Sequence, residues 1–202
     1  MPERNRVTPT GDIVAIPLRG AWLGNRGILH RDHEIVRFHA SALWITCALS
    51  FKGWRAPKWE PHRWTALFFH DEAVAFAAGH RPCALCRRPA YNAFREASAR
   101  GHDVPVLSAA ELDKQLHGER IVSGTHRRRL HPSEWSSLPV GTFVLVDDEP
   151  RLVLDDAVVP WTLRGYGPPR RRPRNGNVDV LTPPSTVAAL RAGYRPQLGV
   201  KA

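Results

Sequence analysis

Between Trp64 and Phe94 the chain reads WTALFFHDEAVAFAAGHRPCALCRRPAYNAF, and this stretch constrains the fold more than any other. Its apolar and aromatic start predicts a strand over residues 65–69, and the run from Asp71 to Ala78 predicts a short helix. Asp71 and Glu72 fall in that helix's first turn, where free N–H groups and the helix dipole favour negative charge. Gly79 can take the left-handed conformation that closes a helix, and Pro82 prevents resumption. A second helix enters at Pro89. The loop between the helices is therefore set by the backbone, and it carries two thiols spaced Cys-x-x-Cys, Cys83 and Cys86. Sulfurs at that spacing can point at one atom, which is the geometry of a metal site or of a redox pair.

Cys47, at the end of the apolar run LWITC, is the obvious third sulfur. Three cysteines are too few, and odd in number, for the disulfide framework of a small secreted domain. A thioredoxin-like redox pair would need a strand-to-helix βαβ setting, which this stretch lacks. Tetrahedral zinc bound by Cys47, Cys83 and Cys86 fits best, beside the alternatives of a redox pair or inert buried thiols. Zinc then asks for a fourth ligand. His30 is the first choice, because its strand would neighbour the Cys47 strand in a meander; His33, His62 and His80 follow. His30-x-x-His33-Glu34 lacks the spacing and the helix of a zinc protease.

Along the chain, residues 1–12 are polar and read as a flexible N-terminus. DIVAIPL, RGILH, EIVRFH and ALWITCAL then read as an antiparallel meander, with turns at Gly24–Gly27 and at Arg31-Asp32. SFKGWRAPKWEPHRW is a loop carrying three tryptophans. After Pro89 a helix runs to Gly101. Another begins at Ser108, where Ser108 and Glu111 make a capping box and Leu107 staples onto Leu112. Alternation on both sides of Asp147-Asp148 predicts a β-hairpin. GYGPPRRRPRNGNVD reads as a mobile basic loop, followed by a short helix. Ala188–Pro196 (AALRAGYRP) echoes Val74–Pro82 (VAFAAGHRP), a reuse of one helix stop. The expected class is α+β: a small antiparallel sheet with short helices around a zinc site, then helices and a C-terminal β region. The parts are a flexible 1–12, a zinc module over 13–101, a helix and hairpin region over 102–164, and a basic loop with a helix over 165–202.

Charge enters as the second constraint. There are 29 Lys+Arg against 19 Asp+Glu, a formal net charge of +10, and arginine greatly outnumbers lysine. The planar guanidinium suits bidentate phosphate contacts, so the expected partner is nucleic acid, DNA in particular. Arg81 and Arg87 flank the cysteine loop, Arg127, Arg128 and Arg129 form HRRRLH, and Arg170, Arg171, Arg172 and Arg174 crowd the C-terminal loop. These nine are the candidate phosphate contacts; a solvated charged face is the alternative for the two runs. No apolar run is long enough to span a bilayer and no secretory leader is evident, which places the protein, as an expectation, in the cytoplasm.

FFHDEAVAFAAGHRPCALCRRP, with ALWITC ahead of it, resembles the Ada-type zinc-binding domain of bacterial alkylation-repair proteins, over residues 41–89. In that family a strand ending in a cysteine precedes a strand, a short helix and A-A-G-aromatic-R-P-C-x-x-C-x-P. The resemblance implies zinc, DNA, and transfer of a methyl group from a phosphotriester to the first cysteine, here Cys47. The family has a further cysteine four residues on, where this chain has Phe51. Three functions follow as expectations. The first is a zinc-stabilised DNA-binding protein of repair or regulation. The second is an enzyme, through Cys47 or as a zinc hydrolase with an open ligand position. The third is a structural protein-interaction module.

Overall fold

A computed structural model describes residues 1–56 and 58–200; one position of the tryptophan-bearing loop and the last two of the C-terminal region lie outside the described residues. The chain is α+β. Its described residues form four helices: α1 (Glu72–Ala77), α2 (Arg88–His102), α3 (Ala109–Arg120) and α4 (Pro184–Arg191). Two larger sheets and two short ribbons accompany them. None of these helices is long and apolar enough to cross a membrane.

The first sheet is mixed, not a meander. Its strands run in the order Arg81–Pro82, Ile45–Cys47, Trp22–Asn25, Leu67–Phe69, Arg4–Val7, Ile13–Ala15. Two neighbouring pairs are parallel, Arg81–Pro82 with Ile45–Cys47 and Arg4–Val7 with Leu67–Phe69. Residues 4–7, expected to be flexible, are thus an inner strand with Asn5 and Val7 buried. Their alternation is too short to register as a strand against the charges around it, and pairing on both sides holds them. Gly24 is required by close packing here: a Cβ at this position would lie 2.3 Å from the Phe69 ring.

The second sheet is antiparallel and C-terminal, in the order His131–Glu134, Asn177–Val180, Phe143–Val146, Glu149–Val153, Ala157–Thr162, Gly165–Tyr166. The hairpin expected at Asp147-Asp148 is present, with Val146 paired to Glu149 and both aspartates at positive φ, as a two-residue primed turn requires. Within the basic loop Arg170–Arg171 pair with Ala157–Thr162, so part of that loop is sheet.

Helix boundaries follow local chemistry. Asp71 is the N-cap of α1, accepting from the Val74 N–H at 2.8 Å, while Glu72 opens the helix proper. Ser108 and Glu111 cap α3 reciprocally. At the end of α1, Gly79 has φ +86°, its N–H meets Phe76 O, and the His80 N–H reaches back to Ala75 O. At the end of α4, Gly193 has φ +103°, its N–H meets Leu190 O, and the Tyr194 N–H reaches back to Ala189 O. The sequence echo is this one stop, built twice.

Every residue of α1 is buried. Ala73, Val74, Ala75 and Ala77 share one apolar cluster with Val7, Leu67 and Phe69 of the first sheet and with Phe143, Leu152 and Trp161 of the second. Phe76 turns the other way, onto Phe94 of α2 and Tyr194, with ring centroids 5.5 and 5.6 Å away. α1 is therefore the hinge pin between sheets and helices, and the cysteine loop leaves from its end.

Candidate metal centre

Cys47 closes the strand Ile45–Cys47, and the stop at Gly79 delivers the chain alongside it. The Arg81 N–H donates to Trp44 O at 3.1 Å and the Cys83 N–H to Thr46 O at 2.9 Å, so the cysteine loop is sewn to the Cys47 strand. The Arg87 N–H then donates to Cys83 O at 3.1 Å and folds the loop under the start of α2. Cys47, Cys83 and Cys86 thereby form one group, with sulfurs 3.6–3.9 Å apart, that could hold a metal ion. Cys47 and Cys83 are buried and Cys86 half-buried, among Leu23, Ala66, Trp64 and Phe68.

The electrostatics favour one thiolate at rest. The Cys47 thiol donates toward Cys83, which lowers the Cys83 pKa to about 5, while that donation and burial push Cys47 well up. Desolvation raises Cys86 as well. Main-chain N–H groups also converge on the sulfurs, Leu85 on Cys83 and Ala48 on Cys86, each at 3.4 Å. Such donors lower the cost of concentrating negative charge on sulfur.

His30 is not part of this group. It lies in a separate two-stranded ribbon, His30–Arg31 with Glu34–Ile35, whereas the neighbours of the Cys47 strand are Trp22–Asn25 and Arg81–Pro82. Its ring nitrogens are engaged by Thr65 Oγ1 at 2.7 Å and Glu60 O at 3.2 Å. A sequential meander would place His30 beside Cys47, and the interleaved strand order removes that proximity. His33 stacks near Trp59, His80 is buried against Arg26, and His62 is exposed. Among the described residues no fourth His, Cys, Asp or Glu joins the three cysteines.

Arg81 and Arg87 are not free phosphate contacts. Arg81 is buried in a bidentate pair with Asp113 of α3, Nε to Oδ1 and Nη2 to Oδ2, both at 2.7 Å. Arg87 is buried in an ion pair with Glu72 of α1, donates to Thr46 Oγ1 at 2.6 Å and lies over the Trp22 ring. Glu72 in turn accepts from Tyr194 Oη at 2.9 Å and from the Gln197 N–H at 3.0 Å. Both arginines brace the cysteine loop. Their acidic partners lie 32 and 15 residues away in sequence, at spacings that carry no signal.

The two basic runs divide in the same way. Arg128 donates to the carbonyls of Arg120, Ala77 and Leu181, and Arg172 to those of Leu154, Trp135 and Leu138. Both are structural fasteners. Arg127, Arg129, Arg170, Arg171 and Arg174 are exposed. Arg171 and Arg174 border a surface cavity of about 680 Å³ that Asp155 and Asp156 also line. No family model, no curated protein and no solved structure matches the chain.

Proposed function

We propose that this chain is a zinc-stabilised nucleic-acid-binding protein, acting on DNA in repair or its regulation, with the metal chiefly a scaffold. The observation that carries the zinc is the sulfur triangle. Four ligands at about 2.3 Å around a tetrahedral zinc stand about 3.8 Å apart, and the three sulfurs here are spaced 3.6–3.9 Å. A disulfide would draw two of them to about 2 Å. Cys47, Cys83 and Cys86 would hold the ion, and main-chain N–H groups already support negative charge on Cys83 and Cys86. Nucleic acid is supported by the net charge of +10 and by the exposed Arg127, Arg129, Arg170, Arg171 and Arg174.

The test is salt dependence. Binding to duplex DNA is expected to weaken with salt, with a log–log slope of roughly −0.9 per phosphate contact. Replacing Arg170, Arg171 and Arg174 by glutamine is expected to flatten that slope by about 2–3. Arg172 is left intact because it holds three carbonyls. An unchanged slope and affinity would return this strand and loop to a solvated face.

One observation favours a second reading, an enzyme. Only three protein ligands meet among the described residues, and an open fourth position is the mark of catalytic zinc. The Ada resemblance assigns methyl acceptance to Cys47. DNA carrying methylated phosphates should then add one methyl to the protein, lost in Cys47→Ser. No mass gain with zinc and DNA binding intact leaves Cys47 as a scaffold ligand.

A further inference from the structure

Three arginines meet behind the first sheet, with Asp12, Asp113 and Glu119 acting on them only from a distance. Arg26 and Arg120 are fully buried and place their guanidinium carbons 4.2 Å from the Trp44 ring centroid, and Arg128 reaches the same nest from the loop after α3. Among the described residues none of the three forms an ion pair. They donate instead to main-chain carbonyls: Arg26 to Gly11 O, Arg120 to Gly79 O and Ala42 O, Arg128 to Ala77 O and Arg120 O. The carbonyls at the ends of α1 and α3 carry only fractional negative charge, which offsets part of three full positive charges. Among the described residues four buried nitrogens of the nest find no partner: Arg26 Nη2, Arg120 Nε, Arg128 Nε and His80 Nδ1. Such a nest, with surplus positive charge, orphaned donors and only distant carboxylates, favours an anion beside it.

The nest adjoins a cavity of about 310 Å³ lined by His39, His117, His126, Arg129 and the turn Ser123–Thr125. His117 joins the two: its Nδ1 lies 3.0 Å from Arg120 Nη2. Because a guanidinium only donates, that Nδ1 accepts, and the His117 Nε2 carries the proton and serves as a donor. The His39 ring centroid lies 5.2 Å from that of His117 and 6.3 Å from that of His126. We propose that this cavity binds the phosphate monoester of a ligand, with Arg129 and the three histidines as direct donors and the arginine nest as its fixed positive field. The volume of about 310 Å³ admits a phosphoryl group together with part of the molecule that carries it.

The chemistry predicts coupled proton uptake. Burial, His126, Arg120 and Arg26 lower the pKa of His39; burial, Arg120 and His39 lower that of His117. Among the described residues no carboxylate acts on either ring. A bound dianion opposes that depression, so His39 titrates at higher pH in the complex, whereas His117 donates through Nε2 while its Nδ1 accepts from Arg120. Affinity for a permanently dianionic probe, sulfate, therefore rises as pH falls through the histidine range.

The proposal shares only Arg129 with the nucleic-acid reading, and the probe is inorganic phosphate on the full zinc-loaded chain at constant ionic strength. The imidazole Cε1–H signals of His39, His117 and His126 are expected to shift saturably with phosphate, and that of His39 to titrate at higher pH with phosphate bound. Arg129→Gln is expected to weaken binding about fivefold or more, one charge-assisted contact being lost. Arg129 is exposed and its side chain makes no hydrogen bond among the described residues, so this variant folds. Immobile histidine signals up to about 50 mM phosphate, or equal affinity in Arg129→Gln, would overturn the proposal. A single-stranded oligonucleotide with and without a 5′-phosphate identifies the source. Preference for the phosphorylated end makes the ligand a nucleic-acid terminus; equal binding of the two, with inorganic phosphate still bound, makes it a small phosphorylated molecule.

Discussion

Cys83→Ser is expected to strip the protein of metal, from about one zinc per chain to less than about a tenth of that, by elemental analysis. Cys83 is the sulfur on which the others converge: it holds the lowest pKa of the three, accepts from Cys47, and has the Leu85 N–H aimed at it. Site formation and folding are linked, so metal loss also loosens the chain. Zinc-dependent peptides owe about 10–16 kcal/mol to their metal. Here the Cys47 strand is also held between Trp22–Asn25 and Arg81–Pro82, and the core around α1 is independent of the sulfurs. We expect a smaller loss, on the order of 5 kcal/mol, which lowers the melting temperature by about 10–20 °C in a chain of this size. Cys47→Ser should behave alike. Metal lost in Cys83→Ser but fully retained in Cys47→Ser would refute a shared three-sulfur site.

Asp113→Ala is expected to cost about 3–5 kcal/mol, because it leaves the buried Arg81 guanidinium without its counter-charge. Among the described residues Arg81 has only Pro82 O and the face of Tyr91 besides Asp113. The damage falls on the strand Arg81–Pro82, which carries the cysteine loop, so zinc retention weakens with stability. Replacing both members by apolar residues, Arg81→Met with Asp113→Leu, should recover most of the loss, since no buried charge then stands alone. A thermal melt of the two variants beside the parent reads both effects. Were Arg81 instead a phosphate contact, Asp113→Ala would leave the melting temperature unchanged and strengthen DNA binding.

The sequence by itself determined what local chemistry determines. Gly79 and Pro82 set the reversal before the cysteines, Ser108 with Glu111 set the start of α3, Asp147-Asp148 set a hairpin, and the echo at Gly193 set a second copy of one helix stop. Each is decided within about six residues, where a backbone conformation or a cap has one cheap solution. Cys83 and Cys86 were legible for that reason, and Cys47 because an apolar strand ended on it.

What the tertiary structure alone decided is which strands are neighbours and which charges are paired. The interleaved order of the first sheet, with two parallel pairings, put Arg81–Pro82 beside the Cys47 strand and sent His30 to another ribbon. Parallel neighbours need a crossover, and the partner across it leaves no mark on either strand's own pattern. The arginines divided on the same ground: Arg81, Arg87, Arg128 and Arg172 look identical in sequence to Arg127, Arg129, Arg170, Arg171 and Arg174. The first four became structural because Asp113, Glu72 or main-chain carbonyls met them in the fold. Burial of a guanidinium demands partners within hydrogen-bond reach, and only the folded chain supplies them.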